Sequence, residues 1–81
     1  MWEENHQYLK REFVFKDFSE AITFISQVAD IANRLNHHPI IINNYNVVTL
    51  ELTTFDEGNR VTEKDKKMAL EIDRIIEKSY N

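Results

Sequence analysis

Two adjacent histidines, His37 and His38, precede the only proline of the chain, Pro39, in the stretch RLNHHPIIINNYN. Imidazole gains and loses a proton near neutral pH, so such a pair can act as general acid and base. Taken alone, adjacent histidines fit equally well a structural junction between a helix and a strand. A metal centre is disfavoured, because neighbours on an extended segment point to opposite faces and the sequence has no HExxH motif or third well-spaced ligand. The only other histidine is His6. With no cysteine present, thiolate nucleophiles, thiolate zinc sites and disulfides are ruled out, and the composition fits a reducing compartment.

The elements that must position this pair come from a chain of 81 residues, read as one domain spanning 1–81 with a single modest core. Its 42% hydrophobic and 30% charged residues, with one glycine and one proline, describe a globular protein. The formal net charge is −4 and the basic residues are interspersed with acidic ones, so direct contact with nucleic acid is not expected. No apolar run approaches the roughly 18 residues that a membrane span requires, and the amino-terminal segment lacks the apolar stretch of a signal peptide. A cytoplasmic protein without membrane contact is the expectation.

Residues 8–16 alternate, with Leu9, Phe13 and Phe15 on one side and Lys10, Glu12 and Lys16 on the other, which describes a half-buried strand interrupted by Arg11. Arg11 suits either a ligand-facing position or an ion pair. Residues 2–4 are a candidate short partner strand. Asp17, with Glu20 three residues on, caps a helix over 18–35 whose apolar face is Ala21, Phe24, Ile25, Val28, Ile31, Ala32 and Leu35. That helix must end near the histidines, because the residue before a proline is pushed out of the α region. Residues 40–42 form a strand, 43–46 a turn and 47–55 a longer strand, closing a hairpin. Thr62 and Asp65 then cap a last helix with Met68, Ala69, Ile72, Ile75 and Ile76 on its apolar face. The order predicts an α+β domain, β-β-α-β-β-α, with two long helices on one face of a four-stranded antiparallel sheet. The free sheet edges and face are open to ligands or further subunits.

Phe13-x-Phe15-Lys16-Asp17-Phe18-x-Glu20-Ala21, Leu35-Asn36-His37-His38-Pro39, Tyr45-Asn46-x-Val48 and Thr62-x-x-Asp65 stand in an order and spacing that resemble the pterin-4a-carbinolamine dehydratases. This family is also known as the dimerisation cofactors of a homeodomain transcription factor. The resemblance implies removal of the 4a-hydroxyl of a 4a-hydroxytetrahydropterin as water, giving a quinonoid dihydropterin and recycling the cofactor of aromatic amino acid hydroxylases. It implies no metal or organic cofactor, a pterin substrate and a homodimer or homotetramer. His37 and His38 match the catalytic histidines, the first in proton transfer and the second in placing substrate. Pro39 and Tyr45 fall in register with substrate-binding positions. The family also carries a further helix before the tryptophan that Trp2 resembles, and that helix is expected to be missing here.

Two positions depart from the family pattern. Asn33 stands where an acidic residue is expected, and Phe55 stands where a third histidine is expected. Phe55 can stack on a flat pterin ring, preserving binding, while Asp56, Glu57 and His6 are the candidates to replace the missing imidazole. Reduced dehydratase activity is therefore one reading, and a non-catalytic pterin-binding or protein-interaction module on the same fold is the other. Asp65 reads as a helix cap with no part in catalysis.

Overall fold

The computed structural model describes residues 1–80. Four strands, β1 (Glu3–Glu4), β2 (Leu9–Val14), β3 (Ile40–Asn44) and β4 (Val47–Leu52), and two helices, α1 (Phe18–Leu35) and α2 (Glu63–Ser79), follow in the expected order. The strands form one antiparallel sheet in the order β1-β2-β4-β3. Pairing of Phe13 with Val48 and of Arg11 with Leu50 sets the register that aligns the buried rows of β2 and β4. A slip of one residue would turn those rows to solvent.

Both helices cover the same face of the sheet. Phe24 of α1 is completely buried, with its ring 4.9 Å from the rings of both Phe13 and Phe15 and 5.9 Å from Tyr80. Leu50, Leu52, Met68 and Ile72 are likewise buried in the core without exposure. Truncating such an aromatic costs about 3–5 kcal/mol, so Phe24 anchors the α1–sheet contact. Tyr80 closes the end of this cluster, and its hydroxyl donates to Gln27 Oε1 at 2.7 Å. Burial raises the Tyr80 phenol above its ordinary pKa, with the Glu20 charge adding to the effect.

Helix α1 begins where Asp17 Oδ1 accepts the Glu20 amide at 2.8 Å, while Glu20 Oε1 accepts the Lys16 amide at 3.0 Å. Arg11 resolves into an ion pair: its Nη1 lies 2.7 Å from Asp73 Oδ1, which also accepts the Trp2 indole at 2.8 Å. Its guanidinium sits 4.5 Å above the Phe13 ring, and Arg11 also lines a cleft with Met1, Glu3, Lys10 and Glu12.

Three boundaries differ from the sequence reading. The strand expected over 8–16 ends at Val14, although Phe15 stays buried and donates its amide to Asn46. The strand expected over 40–42 runs on to Asn44, with a tight turn at Tyr45 and Asn46. The strand expected over 47–55 stops at Leu52, and Phe55–Glu57 form a 3-10 turn. Thr54 pairs there with Arg60 through an isolated bridge rather than continuing along β2, and Gly58 closes the turn at φ 77°. β2 begins at Leu9, the partner of Leu52, so no strand remains alongside residues 53–55.

Candidate active site

The site begins at the C-terminal end of α1, where Asn36 adopts the left-handed conformation (φ 52°) and turns the chain out of the helix. The His37 amide still bonds the Ala32 carbonyl at 3.0 Å, and Pro39 then commits the chain to an extended path into β3. This geometry fixes the backbone of both histidines before either side chain makes a contact.

His37 turns inward. Its Nε2 lies 2.6 Å from Oδ1 of Asp65, a carboxylate with no solvent exposure on the first turn of α2. The other oxygen of Asp65 accepts the Thr62 amide at 2.9 Å and the Thr54 hydroxyl at 2.8 Å. Thr62 and Thr54 hydroxyls lie 2.6 Å apart, so Thr62 can donate to Thr54 while its own oxygen accepts the amide of Lys64 at 3.3 Å. A carboxylate offers only acceptors, which assigns the proton of a neutral His37 ring to Nε2 and leaves Nδ1 as the nitrogen available for exchange. Nδ1 has no hydrogen-bond partner among the described residues.

His38 turns the opposite way and is exposed, with Nε2 3.2 Å from Oδ1 of Asn33. Asn33, which replaces the expected acid, therefore holds His38 rather than His37. A cleft of about 230 Å³ opens between the two histidines and the 3-10 turn, walled by His37, His38, Thr54, Phe55, Asp56 and Lys64 among others. A second cleft of about 160 Å³ is bounded by Leu35, His37, Lys64 and Lys67 and so shares His37 and Lys64 with the first. Beside the site, Arg34 bonds Glu71 across the two helices, and this hydrogen bond holds the Glu71 carboxyl below its ordinary range.

The structure thus brings His37, His38 and Phe55 to one cleft. Phe55 is 76% exposed at its mouth, its ring free to meet a planar ligand. Pro39 and Tyr45 do not line the cleft. Pro39 directs the chain, and Tyr45 occupies the β3–β4 turn at the far end of a five-residue strand, about 17 Å away by strand rise. Sequence reasoning gave Asp65 a capping role alone and Thr54 no role at the site, whereas the structure joins both to His37 in one network. The cap pattern did reveal Asp65, but nothing local showed that a cap carboxylate would also receive His37 from 28 residues upstream. Thr54 carried a signal in its parity, since it falls on the apolar side of the last strand with Leu50 and Leu52.

Residues 1–75 match the family model described as Pterin 4 alpha carbinolamine dehydratase. The chain belongs to this family. Among pterin-4a-carbinolamine dehydratase relatives, a protein of Prochlorococcus marinus (strain MIT 9515), described as a candidate pterin-4-alpha-carbinolamine dehydratase, is 44% identical over 77 residues. That match covers 95% of this chain and 79% of the relative. A relative from Koribacter versatilis (strain Ellin345), described in the same way, is 45% identical over 74 residues, covering 91% and 78% of the two chains. The crystal structure of a transcriptional coactivator/pterin dehydratase from Brucella melitensis superposes with a TM-score of 0.85 at 43% identity, covering 91% of this chain and 80% of that one. A pterin dehydratase-like protein described as a RuBisCO assembly factor in the alpha-carboxysome shares the pterin-dehydratase fold at 18% identity, with a TM-score of 0.73 over 93% of this chain and 86% of that one.

Proposed function

We propose that this protein is a 4a-hydroxytetrahydropterin dehydratase whose rate is reduced by Phe55 standing in place of a third histidine. The observation that carries this reading is the His37–Asp65 contact at 2.6 Å in the wall of a cleft that also presents His38 and Phe55. Family membership and relatives described as candidate dehydratases support it.

Dehydration breaks the C4a–O bond, forms a C4a=N5 double bond and moves two protons, one onto the departing hydroxyl and one away from N5. A group that titrates near neutral pH suits such work, and loss of one transfer group costs on the order of 10²- to 10⁴-fold in rate. His37, held by Asp65 with Nδ1 toward exchange, serves as a proton-transfer residue. His38 orients the substrate, and Phe55 stacks on its flat ring. The product is a quinonoid dihydropterin. We also read the protein as a homodimer or homotetramer.

A second reading, a pterin-binding or protein-interaction module without turnover, is favoured by one specific observation: the exposed phenyl ring of Phe55 carries no proton-transfer group at the cleft mouth. Water release from a 4a-hydroxytetrahydropterin, measured against the spontaneous rate, separates the two. The dehydratase reading expects acceleration by the wild type and its loss in His37→Ala. In Phe55→His a gain of roughly tenfold or more is expected as the missing transfer group returns. Wild-type protein that gives no acceleration at micromolar concentration supports the binding module instead.

A further inference from the structure

We propose that Asp56 is the second proton-transfer group of this cleft, taking the role left vacant by Phe55; the proposal rests on the dehydratase reading above. Had β4 run on through Phe55, Asp56 would point to the opposite face of the strand from its neighbour. The 3-10 turn over Phe55–Glu57 changes this, and both Phe55 and Asp56 line the cleft beside His37 and His38.

The alternatives are placed elsewhere. Glu57, the next residue, has Oε1 3.6 Å from the Arg60 guanidinium and does not line the cleft. His6 lies in the β1–β2 connection, where its carbonyl accepts the Val61 amide at 3.4 Å, and its side chain is not part of the wall. Asp65 is fully buried, and its oxygens are taken by three donors. Asp56 is exposed and has no ion-pair partner among the described residues. Its cleft neighbours with titratable groups are His37, His38 and Lys64.

A carboxylate suits one half of the reaction. Protonated His37 gives its Nδ1 proton to the 4a-hydroxyl, which leaves as water with the electron pair of the C4a–O bond. The N5 lone pair forms the C4a=N5 bond, so positive charge develops on N5 and its remaining proton becomes acidic. The Asp56 carboxylate accepts that proton and, before the transfer, faces the developing cation with a negative charge. Solvent then restores one proton to His37 and removes one from Asp56, so no other reactant is consumed.

The test compares dehydration kinetics of wild type, Asp56→Asn, Asp56→Glu, Phe55→His and the Phe55→His/Asp56→Asn double variant, with pterin affinity followed by fluorescence and folding by circular dichroism. The expected result for Asp56→Asn is a fall of roughly tenfold or more in kcat, with pterin affinity within about twofold of wild type. Asp56→Glu should keep most of the rate, and Asp56→Asn should cost less than about threefold once Phe55→His supplies an imidazole. Asp56→Ser replaces the amide variant if that one does not fold. A kcat within twofold of wild type in Asp56→Asn, or an equal loss in both backgrounds, overturns the proposal and leaves the dehydratase reading standing. Wild-type protein that fails to accelerate the reaction overturns both.

Discussion

Asp65 illustrates how one residue can carry two duties that its local sequence separates. As the third residue of α2 it completes a capping box with Thr62, and that much is readable from Thr62-x-x-Asp65. Its contact with His37 is a product of tertiary structure, since it needs α1, the β4 end and α2 to converge on one buried carboxylate. The His-His-Pro stretch was legible as a site because its residue types are unusual, whereas an aspartate in a cap has a sufficient local explanation and attracts no further one. Replacing Asp65 with Asn keeps the volume but turns one acceptor into a donor, which must face Thr54, the Thr62 amide or His37. We expect a loss of about 2–3 kcal/mol in urea unfolding from the unsatisfied partner. We also expect a fall in kcat of the folded enzyme of roughly tenfold or more, because His37 loses the acceptor that fixes its proton on Nε2. Thr54→Val supplies the contrast: about 1–2 kcal/mol of stability lost with kcat retained, since His37 still reaches Oδ1. Full activity in Asp65→Asn would reduce Asp65 to a cap.

At the level of elements, helix bounds are set by local residues and strand ends by the partner strand. The bounds of α1 agree with the periodicity of its apolar residues, its Asp17 cap and the proline after it, all of which are local. The end of β4 depends on which strand lies alongside, and no local residue reports that β2 begins at Leu9. Tyr45 shows the same limit from the other side. The asparagines around it announce a turn, yet it is Tyr45 that takes positive φ, at 54°, while 64% exposed. A non-glycine residue in this region costs roughly 1–2 kcal/mol, and asparagine bears it best among side chains. Tyr45→Asn is therefore expected to raise stability by up to about 1 kcal/mol in chemical denaturation. Because the turn lies at the end of the hairpin away from His38, KM for the pterin should change less than about twofold. A large rise in KM would return Tyr45 to the site through a neighbouring subunit.

The whole molecule is asymmetric in how it ends its sheet. The β1 edge is only two residues long, whereas the β3 edge presents five residues with no strand outside them among the described residues. Ile40, Ile41 and Ile42 on that edge are 48%, 38% and 49% exposed, and Val14 on the uncovered sheet face is 68% exposed. No helix among the described residues is long and apolar enough to cross a membrane. Native proteins blunt a bare strand edge with charge, proline or a cover, and β3 carries neither charge nor proline. An antiparallel β3 from a second copy would satisfy its free amides and carbonyls while covering the isoleucines. Sedimentation at tens of micromolar should then show a dimer or larger species. Ile41→Lys should shift it toward monomer with helical circular dichroism unchanged, because Ile41 is already more than one-third exposed in the single chain. A wild type that sediments only as monomer would remove the oligomer reading while leaving the cleft of His37 and Asp65 intact, since every group in that network comes from one chain.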